Sequence, residues 1–243
     1  MALQGIDVSA IGQGNAFNWS AWKDRIAFAG IKATQGLTFQ DPDFTENVKG
    51  ATSIGAVRMP YHFLDPAADG AEQARHYLAY ARPQPGELPM LDHETYVNAA
   101  GDALAAELVA DVAAAFGDAV RAAVGAWPIL YTTQYMAEHG YCAGLGQQPL
   151  FIANPSRVKL PNPIGPWRLV SFEQIGQKGI DTDVFYGTAA ELARLTAMHA
   201  PIAPTPAPAP APTKKAGFLL EWTGADTMPK ILELATTDGK TWS

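Results

Sequence analysis

The feature that most constrains this chain is a series of short apolar runs that end in, or carry, a chemistry-bearing residue. Gly5-Ile6-Asp7-Val8-Ser9 is the first. Residues 26–33 carry Lys32 near their end, residues 56–63 close on Tyr61-His62-Phe63, and residues 88–94 close on Asp92-His93-Glu94. Further runs lie at 127–132, 150–153, 167–174 and 180–185. Helical stretches are predicted over 18–24, 41–53, 68–80, 99–116 and 188–198, with Asp41-Pro42 suited to a helix start. Short strands alternating with helices predict a parallel sheet covered by helices. Eight of them make an irregular (β/α)-barrel of the TIM type, compressed against the usual length of about 250 residues. The later strands have poor helices between them, so the barrel should be irregular there.

In such barrels the C-terminal strand ends carry the chemistry. Asp7, Lys32, Tyr61, His62, Asp92, Glu94 and Asp181 should therefore converge on one acidic mouth. Strand alternation puts Asp92 and Glu94 on one face and turns His93 away, packed behind the strand. Two carboxyls sharing a face cannot both ionise easily, so one holds its proton to higher pH. An acid beside an ionised carboxylate suits cleavage of a glycosidic bond: a proton for the leaving oxygen and a charge for the oxocarbenium-like centre.

Composition removes several alternatives. Seventeen basic against 24 acidic residues give a net charge of −7 with no basic block, so nucleic acid is not an expected partner. Cys142 is the only cysteine, which excludes an intrachain disulfide and suits a buried small side chain. No run approaches the length of a membrane span, so no membrane insertion is expected. The start, Met1-Ala2-Leu3-Gln4-Gly5, does not read as a signal peptide, so synthesis in the cytoplasm is expected.

From residue 200 the character changes. Residues 200–215 form a Pro/Ala-rich linker, a semi-rigid polyproline spacer. Residues 216–243 form a short tail with strand-like runs at 218–222 and 231–234 and a turn at Asp238-Gly239. A segment so small and without cysteine is expected to dock on something, oligomerise or be incomplete. The expected organisation is a catalytic domain over 1–199, the linker, and a tail that could bind cell wall.

The ordered motifs Gly5-Ile6-Asp7-Val8-Ser9, Ile31-Lys32-Ala33-Thr34-Gln35-Gly36, Asp41-Pro42-Asp43-Phe44, Pro60-Tyr61-His62-Phe63, Leu91-Asp92-His93-Glu94, Tyr131-Thr132 and Gly179-Ile180-Asp181-Thr182-Asp183-Val184-Phe185 resemble glycoside hydrolase family 25 over residues 3–197. These are lysozymes (N-acetylmuramidases), found among other places in phages as endolysins. The resemblance implies cleavage of the β-1,4 bond between N-acetylmuramic acid and N-acetylglucosamine in peptidoglycan, with no metal or organic cofactor. It implies Glu94 as general acid/base, Asp92 as its partner, and Asp7 and Asp181 as the rest of an acidic floor. Tyr61, Lys32, His62, Tyr131 and Gln174 are the expected substrate-binding residues. With the linker and tail, the expected setting is the bacterial wall, reached by a phage endolysin through a separate pore, and a virion part or a bacterial protein exported without a cleaved signal would suit equally. The sequence departs from the family pattern at Gln35, where a Glu is usual, at Phe151-Ile152-Ala153-Asn154-Pro155, and at Glu173-Gln174-Ile175.

Two other readings compete. A metal-dependent polysaccharide deacetylase would need clustered ligands, yet the histidines at 62, 76, 93, 139 and 199 are scattered. A non-catalytic glycan-binding module on the same barrel would have lost Asp92 or Glu94, and both are present. Tyr61, Trp127 and Trp167 are candidate sugar platforms that a core would accept equally well. A serine or cysteine nucleophile has no Gly-x-Ser-x-Gly elbow to support it.

Overall fold

A computed structural model describes residues 2–13 and 17–198, with two short strands further on. The chain divides into two units, Met1–Ala203 and Pro204–Ser243. In the second, Leu220–Glu221 pairs antiparallel with Lys230–Ile231, inside the first predicted tail strand and at the edge of the second. The rest of those strands, the Asp238-Gly239 turn and the Pro/Ala linker at 200–215 lie outside the described residues.

The first unit is a closed eight-stranded barrel with one extra edge strand. Its elements run β1 (Leu3–Val8), α1 (Ala10–Gln13), a 3-10 turn (Trp19–Trp22), β2 (Phe28–Gln35), β3 (Phe39–Gln40), α2 (Phe44–Ser53), β4 (Val57–Phe63) and α3 (Gly70–Ala81). They continue with β5 (Met90–His93), α4 (Ala106–Val124), β6 (Ile129–Thr133), α5 (Gln134–Glu138), β7 (Leu150–Ala153), β8 (Phe172–Lys178), β9 (Ile180–Phe185) and α6 (Ala189–Ala197). The sheet order β1-β9-β8-β7-β6-β5-β4-β2 closes through a β1–β2 pairing, and β3 folds back on β2 as a hairpin. Helices of full length separate only β2, β4, β5 and β6. The later connections carry only the five-residue α5 or no helix, which is the irregularity the sequence predicts.

One strand corrects the expectation of a parallel sheet. β9 is antiparallel to both β8 and β1, because β8 and β9 form a hairpin turned at Gly179. Gly179 has φ +80°, a conformation open to glycine at little cost. The predicted helix over 99–116 also shifts, to Ala106–Val124. Asn98 accepts hydrogen bonds from the amides of Ala100 and Asp102, and Gly101 takes φ +87°, so a side-chain-built turn displaces the alanine helix there.

Alternation splits the core in two. Phe28, Met59, Leu88, Met90, Ile129, Phe151, Phe172 and Phe185 fill the barrel lumen. Ile6, Val8, Ile31, Leu91, Leu130, Leu150 and Ile152 point outward into a second cluster shared with the helices, where Phe116 and Tyr77 are fully buried. Lumen rings pack edge-on and tilted, Phe28 on Phe172 at 5.2 Å and Phe172 on Phe185 at 4.7 Å. The lower lumen is thus a solid apolar plug, and polar chemistry has room only above it.

Because both cores lie before Met198, a chain ending at His199 should keep the full-length protein's cooperative melt, with Tm unchanged within about 3 °C by circular dichroism. A truncated chain that melts broadly or is insoluble would make residues beyond 199 part of the core.

Candidate active site

Each cleft residue sits one or two alternation steps above a lumen hydrophobe on its own strand. Lys32 lies above Phe28, Tyr61 above Met59, Asp92 above Met90, Tyr131 above Ile129, and Gln174 above Phe172. The cleft they line, with Asp7, Glu94 and Asp181, holds about 200 Å3, the scale of one sugar ring. Eight of the nine residues selected from sequence therefore converge. The ninth, His62, is corrected: it points outward, where its ring bonds Thr34 Oγ1 at 2.8 Å and Gln73 Oε1 at 3.0 Å and stacks on Phe116. Tyr61 and His62 are adjacent, so only one can enter the lumen. His93 is packed behind β5 as expected, bonded to the Tyr141 carbonyl at 2.9 Å. Burial lowers both imidazoles to about 4.

The acids come from both ends of the chain. Asp7 lies opposite Asp181 across the β1–β9 pair and opposite Gly30 across β1–β2. A Cβ on Gly30 would fall 2.8 Å from the Asp7 Cβ, so the missing side chain there is what gives Asp7 its space. Asp92 is buried, and its Oδ1 has no hydrogen-bond partner among the described residues. Glu94 follows directly after β5 and is open to solvent at the mouth, while protein still surrounds most of it.

Electrostatics follow from this crowding. Burial, then the charges of Asp181 and Glu94, push the Asp7 carboxyl up to about 8. Burial and Glu94 hold Asp92 well above the usual carboxylate range, against the pull of Lys32. Glu94 is raised by burial and by Asp181, again with Lys32 opposing. Acids this close share protons as a set. The cation among them is Lys32, buried at 7% exposure, whose ammonium donates to Gln35 Oε1 at 2.8 Å. A neutral partner at 35 leaves that charge to the carboxylates, and Asp92 is its strongest charged neighbour. On the far wall the Tyr131 hydroxyl donates to Gln174 Oε1 at 2.8 Å.

Two polar residues escape the sequence reading, Asp183 buried outside the cleft lining and Gln177 within it. Asp183 is fully buried, with both carboxylate oxygens unpartnered among the described residues, and burial with the charges of Asp7 and Asp181 raises it strongly. Its signal was alternation from Asp181. Gln177 reaches the cleft through an irregularity in β8 between Gln174 and Gly176, which has no sequence signature. Of the candidate platforms, Trp167 is buried in the outer core and Trp127 lies beside Arg121; only Tyr61 meets the cleft. Cys142 is buried, its thiol pushed up to about 12. Among the described residues, no three or more His, Cys, Asp or Glu side chains are placed to hold a metal ion, and no helix is long and apolar enough to cross a membrane.

Clustered carboxyls, some held neutral, with an ammonium beside them at a barrel mouth are equipment for acid–base cleavage of a glycosidic bond. The chain belongs to glycosyl hydrolases family 25, whose profile matches residues 6–180, and is a glycoside hydrolase. It is 32% identical over 167 residues to the N,O-diacetylmuramidase of Chalaropsis sp, covering 63% of this chain and 77% of that protein. It is 29% identical over 174 residues to the uncharacterized protein YegX of Escherichia coli strain K12, covering 69% of this chain; it spans 62% of YegX, under two thirds of that length. Among solved structures, a family GH25 lysozyme from Aspergillus fumigatus superposes with a TM-score of 0.72 at 28% identity, covering 81% of this chain and 99% of that one.

The Asp7 shift carries a stability consequence. Its carboxyl moves from 3.8 to about 8 on folding, so the folded chain binds that proton more tightly than the unfolded one. The stabilisation is complete below about pH 4 and is lost as pH rises through 8. Tm should fall between about pH 5 and pH 8.5, and Asp7→Asn, which cannot titrate, should flatten the fall. An unchanged slope in Asp7→Asn would assign the dependence to other groups.

Proposed function

We propose that the chain is a peptidoglycan muramidase that hydrolyses the β-1,4 bond between N-acetylmuramic acid and N-acetylglucosamine. The observation that carries this reading is the placing of Asp92 and Glu94 in one cleft with Asp7, Asp181 and Lys32, on a family 25 barrel. Similarity to an N,O-diacetylmuramidase and to a lysozyme supports the substrate class. Glu94 stands at the mouth, where a bound sugar would cover it and strengthen its hold on a proton. It donates that proton to the glycosidic oxygen and recovers one from the attacking water. Asp92 sits deeper; the Lys32 ammonium offsets part of the burial that holds its proton, and once ionised its carboxylate stabilises positive charge at the anomeric carbon. Asp7, held protonated by burial, and Asp181 form the floor beneath the ring, and Tyr61, Tyr131 and Gln174 line its walls. The reading uses no metal or organic cofactor.

The wider setting we propose is lysis of a bacterial wall by a phage, with the Pro/Ala spacer and tail of the sequence as its support. In co-sedimentation with purified bacterial walls, a chain ending at His199 should then bind more weakly than the full-length protein; equal binding would argue against a wall-directed tail.

Glu94→Gln keeps size and hydrogen bonding but has no proton to deliver, so kcat on natural glycan should fall by about 10²–10⁴. An aryl glycoside with a good leaving group should lose less. Asp92→Asn should lose activity equally on both substrates, and the opposite pattern would exchange the two roles. Mass spectrometry of borohydride-reduced digests should show reduced muramic acid termini. Reduced glucosamine termini or released stem peptides would overturn the assignment.

A further inference from the structure

A second groove, of about 610 Å3, opens beside the acid cleft and shares Ile11 and Phe63 with it. It lies among the β2–β3 turn and the loops after β4 and β5, so every wall belongs to the rim of the same barrel face. Ten large apolar side chains are exposed among the described residues, and four of them line this groove: Ile11 at 76%, Leu37 at 43%, Phe39 at 37% and Val97 at 36%. Apolar exposure gathered against a catalytic cleft marks a binding surface rather than chance.

The chemistry of the groove selects among occupants. Carbohydrate rings pack on aromatic faces, yet the two rings here, Phe39 and Phe63, lie 5.7 and 4.8 Å from the Lys32 ammonium, within cation–π range. What remains is aliphatic: Ile11, Leu37 and Val97. Thr38 and Thr95 add hydroxyls, and the charged residue of the lining is Asp65, so an anionic chain gains nothing there. A neutral, methyl-bearing amide segment fits this surface.

We propose that the groove binds the lactyl-peptide arm of the muramic acid whose bond is cut in the adjoining cleft. This rests on the muramidase reading, which supplies the arm. The lactyl and alanyl methyl groups lie on Ile11, Leu37 and Val97, while the peptide amides meet the threonine hydroxyls. The enzyme thereby prefers glycan that still carries its peptides.

The full-length protein is titrated calorimetrically with two uncharged probes, the bare sugar N-acetylmuramic acid as its methylamide and N-acetylmuramoyl-L-alanyl-D-isoglutamine as its terminal amide. Wild type should bind the peptide-bearing probe at least about tenfold more tightly. A double variant, Leu37→Ser with Val97→Ser, should lose about fivefold on that probe and nothing on the bare sugar. On glycan strands the same variant should raise KM with kcat unchanged, and only where the peptides have not been stripped by an amidase. Equal wild-type affinity for the two probes, or an equal loss on both, overturns the proposal; the wild-type comparison decides even if the variant does not fold. Failure of the muramidase reading would look different, as glycan with no muramic acid at new reducing ends whatever the two affinities.

Discussion

Among the described residues, five carboxyl groups gather in the upper lumen and mouth of one barrel around the Lys32 ammonium, and the rest of the structure is arranged to tolerate that. Asp7, Asp92, Asp181, Asp183 and Glu94 all have raised proton affinities, with burial as the leading cause in each. Carboxylates taken from water without partners are costly, and retained protons are the least expensive remedy. The packed rings of Phe28, Phe172 and Phe185 close the lumen to water from below, and Gly30 surrenders its side chain to make room. Lys32 opposes the rise at Asp92 and Glu94. The result is a set of groups with protons to give in a range where free carboxyls have none.

The histidines complete this division. His62 on β4 and His93 on β5 face the outer core, and each is lowered to about 4. Both are therefore neutral where the acid set exchanges protons. Their hydrogen bonds to Thr34, Gln73 and the Tyr141 carbonyl anchor strands to the surrounding helices and loops. Acid chemistry is confined to the lumen, and the outer layer is devoted to holding it in register.

Much of this was legible in the residue order because alternation is a local rule. Asp92 and Glu94 inward with His93 outward follows from β5 alone, and the barrel follows from the rhythm of apolar runs. What was not legible depended on geometry beyond one strand. Choosing both Tyr61 and His62 ignored the same alternation, which counting from Met59 would have resolved. The reversal of β9 is encoded by one glycine, Gly179, and apolar patterning does not record direction. Asp183 was hidden because its burial arises from two neighbouring strands. The helix placed over 99–116 followed alanine content where the Asn98 turn prevailed.

The pairing of Asp7 with Asp181 has a consequence for how the molecule opens and shuts. Every other barrel pairing joins strands adjacent in the order in which the chain supplies them, whereas β1–β9 brings together residues 7 and 181. It is the clasp of the ring, and its closure bears the largest loop entropy. Two acids face each other on that clasp, so it is ring closure that brings the carboxyls of residues 7 and 181 together. A barrel parted between β1 and β9 would hold its acids in two separate groups, one from each edge of the opened sheet.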